Sequence, residues 1–162
     1  HGRVMNKKTQ QKALSLAGFV LPILTLSGLV GWLTSENIDT WYNMLHKPGF
    51  TPPNWVFGPT WTALYIMIAL SGWRVYQQQK LNGKTLLIYV LQLILNFSWS
   101  VIFFTAHNMG WALVDITLLW LLILLNIVVF YRHSKTAAYW LIPYFLWVGF
   151  ASILNLGFWL TN

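Results

Sequence analysis

The residues of this chain that can do chemistry are aromatic and amide side chains at helical spacing. Tyr65 follows Trp61 by four positions, Gln92, Asn96 and Ser100 recur every four with Trp99 beside them, and Pro143, Trp147, Ala151 and Asn155 repeat that interval. Residues three or four apart share a helix face. Each set therefore gathers aromatic, amide or small side chains on one helix surface, expected to face the bundle interior. Hydrolytic and phosphoryl-transfer machinery has no candidates, since no HExxH, Gly-rich phosphate loop or Ser/His/Asp set is visible. There is no cysteine, which removes disulfides, thiolate metal sites and a cysteine nucleophile. His46, His107 and His133 fall between apolar stretches, so a haem held by two facing buried histidines and a histidine metal site are not expected.

These faces sit in segments that read as bilayer spans. The 162 residues are 57% apolar and only 8% charged, against about a quarter charged in a soluble domain. Five stretches approach the roughly 20 residues a helix needs to cross a bilayer: Ala13 to Leu33, Trp55 to Tyr76, Leu86 to Ala106, Trp111 to Tyr131 and Ala137 to Leu160. The fold expected is an all-α membrane protein, a five-helix transmembrane bundle forming a single domain over residues 5–162. His1 to Val4, ahead of Met5, read as a cloning-derived remnant. Strand alternation is missing, so a barrel is not expected.

Charge sets the expected orientation. Lys7, Lys8, Lys12, Arg74, Lys80, Lys84, Arg132 and Lys135 all fall on one side of such a bundle, and the other side has only Lys47. By the excess of Lys and Arg in cytoplasmic segments, the N-terminus is expected inside and the C-terminus outside. The basic residues form no continuous groove, so the net charge of +7 points to a bilayer partner and not to nucleic acid. Thr34 to Asn54 reads as one long loop, packed as a lid through Trp41, Tyr42, Leu45 and Phe50. Its end, Thr51-Pro52-Pro53-Asn54, reads as the rigid entry to the second span. Asp115 lies about one turn into the fourth span, where it reads as a dipole partner or an ion pair with a loop cation.

Two readings of the buried polar faces stand side by side: interhelical hydrogen bonding with close packing, or a ligand cavity lined by Trp, Tyr, Asn and Gln.

At these same positions the chain resembles the translocator protein family, also called the tryptophan-rich sensory protein or peripheral benzodiazepine receptor family, in its bacterial form. The matching text is Trp41-Tyr42, Lys47-Pro48-Gly49-Phe50-Thr51-Pro52-Pro53, Trp55-Val56-Phe57-Gly58-Pro59 with Trp61 and Leu64-Tyr65, and Gln92-Leu93-Ile94-Leu95-Asn96 with Trp99. It continues through Phe103-Phe104, Met109-Gly110-Trp111-Ala112-Leu113-Val114-Asp115, Pro143-Tyr144, Trp147, Phe150-Ala151 and Leu154-Asn155. The resemblance implies a five-helix membrane protein, commonly a homodimer, that binds porphyrins such as protoporphyrin IX and benzodiazepine-type ligands between its helices under the first loop.

Carried over by motif, the ligand-binding residues would be Tyr42, Pro52, Trp61, Tyr65, Gln92, Asn96, Trp147 and Ala151. Trp61 and Trp147 match tryptophans linked in bacterial members to light-dependent porphyrin breakdown, a reaction in which the pigment absorbs the light and no further cofactor is required. Ala151 matches a small position where bulk disturbs binding. Leu156 and Leu160 replace the Tyr and Arg of the mammalian cholesterol motif, so cholesterol recognition is doubtful. The function expected is a porphyrin-binding translocator or sensor of the bacterial inner membrane. Its rivals are a porphyrin photo-oxidase using Trp61 and Trp147, and a small-molecule exporter, which would need a central carboxylate for proton exchange.

Overall fold

A computed structural model describes residues 6–162, and the remnant assigned to His1 to Val4 lies outside them. The described chain is helical throughout: α1 (Lys7–Thr40), α2 (Asn54–Gln77), α3 (Gly83–Ser100), α4 (Met109–Tyr131), α5 (Lys135–Trp140) and α6 (Ile142–Thr161). The last two continue one another, so the six helices make five rods. α1 packs on α2 and α3, α4 packs on α3 and α6, and α2 closes the ring against α5 and α6.

Among the described residues, four rods are long and apolar enough to cross a bilayer by length and composition: α1, α3, α4 and α5 with α6. Of the five spans expected, α2 is the one that falls short by composition. Its 24 residues reach about 36 Å at 1.5 Å per residue, but Asn54, Gly58, Pro59, Thr60, Thr62, Ser71 and Arg74 dilute its apolar content.

The ring is fastened by polar contacts at several depths. Ser71 Oγ donates to the Ala137 carbonyl at 2.7 Å, fixing α2 to α5. Tyr89 Oη donates to the Ile68 carbonyl at 2.7 Å, and its ring lies over Gly72, where an added Cβ would collide with it. Trp99 Nε1 donates to Asn155 Oδ1 at 2.9 Å, and Asn155 Nδ2 donates to the Met109 carbonyl at 2.9 Å, joining α3, α6 and the start of α4. In a membrane such bonds matter because an unpaired polar group has no water to turn to.

Three local features depart from the sequence reading. α1 does not stop at Leu33 but runs on to Thr40, and a single 3-10 turn, Tyr42–Met44, follows. The long loop from Thr34 to Asn54 is thereby corrected to residues 41–53. Polar residues from Thr34 onward look like loop, yet no Gly or Pro interrupts the helix before Pro48. α3 ends in a π-helical turn, Val101–Thr105, closed by Ala106 N–H donating to the Val101 carbonyl at 2.9 Å. The fifth rod breaks at Leu141 because Pro143, early in α6, has no N–H to donate.

The reading of Asp115 as a dipole partner or an ion pair is also corrected. Asp115 lies in the second turn of α4, is buried, and accepts a 2.5 Å hydrogen bond from Ser98 Oγ of α3. No ion pair is found among the described residues.

Candidate functional site

The end of the bundle bearing residues 41–53 holds a cavity of about 340 Å³, at the lower end of the roughly 300–1,000 Å³ typical of small-molecule sites. Its wall is built from four rods and the loop. α1 contributes a small-residue stripe, Ser27, Gly28, Gly31 and Thr34, and α2 contributes Phe57, Gly58, Trp61 and Tyr65. The π turn brings Phe103 and Phe104 into the wall together, α6 adds Ala151 and Asn155, and Tyr42 joins from the loop. Gly28, Gly31 and Gly58 have nothing within 4 Å of an added Cβ, so α1 and α2 stand apart here. Nearer the lysine-rich end the same helices touch through Trp73 Nε1, which donates to Ser15 Oγ at 3.0 Å.

Trp61 is the aromatic centre. Its ring stacks on Tyr65 at 5.7 Å and lies 6.3 Å from Trp99 and 6.4 Å from Trp147, the last at an interplanar angle of 85°. Such edge-to-face and offset pairs are the favoured arrangements of aromatic rings. Trp147 lies behind this wall, against Phe57 and Phe150, with its indole N–H buried and unpartnered. The two tryptophans from α2 and α6 thus meet, but only Trp61 lines the cavity.

Tyr65 connects the wall to a buried polar chain. Its hydroxyl donates to Asn96 Oδ1 at 2.5 Å, Asn96 Nδ2 donates to Tyr144 Oη at 2.8 Å, and Tyr144 Oη donates to Gln92 Oε1 at 2.8 Å. Asn96 and Gln92 are fully enclosed and do not line the cavity; they lie one and three hydrogen bonds behind Tyr65. Tyr144, the hub of this chain, was missed as a site residue. Its place three positions before Trp147 was the available signal.

The loop forms the lid. Tyr42 is buried against Phe104 and Phe158, and Lys47 Nζ sits 5.0 Å from its ring. Among the lining residues, Tyr42 alone has a buried polar atom without a partner, its hydroxyl. Trp41 stacks on His107 at 4.2 Å. Pro48 presses on Gly157, whose added Cβ would come within 2.6 Å of it. The Asn162 side chain accepts from His46 N–H at 3.0 Å and donates to the His46 carbonyl at 2.8 Å. Pro52 is half-buried in the entry to α2, outside the cavity wall, and Phe50 is half exposed. The lid is thus held mainly by Trp41, Tyr42, Leu45 and Pro48.

The ring of apolar helices and its aromatic cavity define a polytopic integral membrane protein. The chain belongs to the TspO/MBR family, whose model matches residues 18–160. It is 39% identical over 150 residues to the tryptophan-rich protein TspO of Archaeoglobus fulgidus, covering 92% of this chain and 97% of that one. It is 40% identical over 128 residues to the Homo sapiens translocator protein, covering 75% of each. With the tryptophan-rich sensory protein of Cereibacter sphaeroides it shares 35% identity over 117 residues, 72% of this chain and 73% of that one.

Proposed function

We propose that the protein is a membrane translocator or sensor that holds a porphyrin, such as protoporphyrin IX, in the aromatic cavity. The observation that carries this reading is the wall itself: Trp61, Tyr65, Trp99, Phe57, Phe103 and Phe104 around one space, with the unpartnered Tyr42 hydroxyl at the lid. Aromatic rings accept a flat, polarisable macrocycle by stacking. The Tyr42 hydroxyl supplies a hydrogen bond, and Lys47 supplies a cation for the acid groups at the edge. The gap left by Gly28, Gly31 and Gly58 lets α1 and α2 admit a macrocycle wider than the closed cavity. A benzodiazepine-type ligand, smaller and largely apolar, suits the same wall.

In this reading Tyr42, Trp61, Tyr65 and Ala151 touch the ligand, Asn96 holds the Tyr65 hydroxyl and Gln92 the Tyr144 hydroxyl behind it, Trp147 backs Trp61, and Pro52 sets the lid hinge. The protein works as a homodimer in a bacterial inner membrane, N-terminus in the cytoplasm, with no resident cofactor. Binding or sensing is favoured over proton-coupled export because Asp115, the only acid within α3 to α6, is tied to Ser98 and lies away from the cavity wall.

The test is titration of the purified protein with protoporphyrin IX, followed by the pigment's absorbance. Ala151→Phe and Gly31→Phe fill the space and should abolish saturable binding, whereas Tyr42→Phe should weaken it about tenfold, as for the loss of one buried hydrogen bond. Unchanged affinity in both filled variants would overturn the reading.

The Trp61 and Trp147 contact favours light-driven porphyrin breakdown as a second reading, since an indole can give an electron to the excited pigment. Trp61→Phe and Trp147→Phe at saturating pigment should then bleach it more slowly than wild type. Equal rates would reduce both residues to wall and backing.

A further inference from the structure

The lysine-rich end of the bundle carries a second concavity, remote from the aromatic cavity. It is an open groove between the start of α1 and the last turn of α2, lined by Lys8, Gln11, Lys12, Ser15, Tyr76 and Gln77, with Leu14 at its edge. The α1 residues fall at positions 8, 11, 12 and 15, one polar stripe at helical spacing. Its floor is fixed: Trp73 Nε1 donates to Ser15 Oγ at 3.0 Å, and Phe19 holds the Tyr76 ring at 5.5 Å.

The two lysines have no acid to answer them. No acid lines the groove, and no ion pair exists among the described residues. Of the three acids in the chain, Glu36 and Asp39 lie at the far end of α1 and Asp115 lies near the start of α4, at that same far end. Lys12 and Glu36 are 24 residues apart in a single helix, about 36 Å at 1.5 Å per residue, several times the Debye length of about 8 Å at physiological salt. A fixed counter-charge for these exposed lysines is available only from outside the chain.

What lies beside the lysines limits what can bring it. Leu14 and, seven residues on, Leu21 continue the groove's edge along the same face of α1, 72% and 62% exposed. Trp73, bonded to Ser15 of the groove, has an apolar ring and a single donor, the combination that favours a membrane interface. A polar stripe with two cations therefore passes directly into an apolar one, matching an anionic head joined to a hydrocarbon tail.

We propose that this groove binds the headgroup of one anionic phospholipid. The phosphate sits between Lys8 and Lys12, the Gln11 and Gln77 amides and the Tyr76 hydroxyl meet the glycerol and headgroup oxygens, and one acyl chain runs along Leu14 and Leu21. The site is separate from the aromatic cavity and does not depend on what that cavity holds. The bound lipid would clamp α1 to α2 at the end opposite the gap between them.

The experiment measures thermal unfolding of the full chain in dodecyl maltoside micelles during titration with dioctanoyl phosphatidylglycerol, dioctanoyl phosphatidylcholine or inorganic phosphate. Phosphatidylglycerol should raise the midpoint saturably, and the other two should not. Lys8→Gln with Lys12→Gln should raise the half-saturating concentration about tenfold or more, since each lysine near an anionic surface contributes about a fivefold change. Lys8→Arg with Lys12→Arg should retain binding. Lys80→Gln with Lys84→Gln, an equal charge loss outside the groove, should shift it less than about twofold.

Equal weakening by the two Gln pairs would show diffuse attraction to the basic end and overturn the site. So would an equal response to phosphatidylcholine. Stabilisation by inorganic phosphate at the same concentration would assign the groove to a free anion and overturn the lipid.

Discussion

Asn96 is the residue on which packing and recognition meet. Its amide takes one bond from Tyr65 in the cavity wall and gives one to Tyr144 on α6. Replacing it by Leu leaves both tyrosines short of a partner, which should cost about 1–3 kcal/mol and lower the thermal midpoint. Porphyrin affinity should change less than in Tyr65→Ala, which removes a ring from the wall, because Asn96 does not line the cavity. A larger affinity loss in Asn96→Leu than in Tyr65→Ala, compared in folded protein, would show that the amide reaches the ligand directly. Glycine sites give a paired contrast. Gly72→Ala drives a methyl group into the Tyr89 ring and should destabilise by about 1–3 kcal/mol. Gly28→Ala faces open space and should be neutral or slightly stabilising, since alanine is the better helix former. Thermal unfolding of the two variants side by side checks both signs. The sequence pattern placed Gln92 and Asn96 on one buried face correctly, but spacing cannot say whether an amide faces a void or a tyrosine from another helix. That is decided by Tyr144, brought to the site by α6.

Elements that were legible have simple periodicity, and those that were not are made by irregular hydrogen bonding. The apolar runs of α3 and α4 mark their rods closely. The π turn at Val101–Thr105 left no trace in an uninterrupted apolar run, yet it turns Phe103 and Phe104 into one wall. The break at Leu141 was signalled by Pro143, which the sequence reading used only as a face residue. The lid shows how far contacts distant in sequence matter: His46 is held through both backbone groups by the Asn162 side chain. Asn162→Ala removes both bonds and should loosen residues 46–50 while leaving the Tyr42 anchor in place. Amide exchange at His46 should quicken about tenfold, the effect of roughly 1.4 kcal/mol, with porphyrin association and release both faster. Unchanged exchange would show that Pro48 on Gly157, the Trp41 and Tyr42 contacts and the Thr161 hydroxyl on the His46 carbonyl hold the lid without Asn162.

Across the whole molecule, charge is divided between the two ends. Glu36, Asp39 and Asp115 lie toward the lid, while Lys7, Lys8, Lys12, Arg74, Lys80, Lys84, Arg132 and Lys135 gather at the opposite end. Helix ends bring residues distant in sequence to one surface, and the fold therefore turns a scattered set of cations into one rim. Because Lys and Arg are retained on the cytoplasmic side of a bilayer, the rim predicts that the lid and aromatic cavity open away from the cytoplasm. The absence of cysteine makes this directly measurable, since an introduced thiol is the only one present. Met44→Cys lies in the lid turn with its side chain 80% exposed, and Asn82→Cys lies in the α2–α3 turn at the basic end, also exposed. A membrane-impermeant maleimide added to intact bacterial cells should label Met44→Cys at once and Asn82→Cys only after the membrane is opened. The reverse order would place the lid and the mouth of the cavity in the cytoplasm.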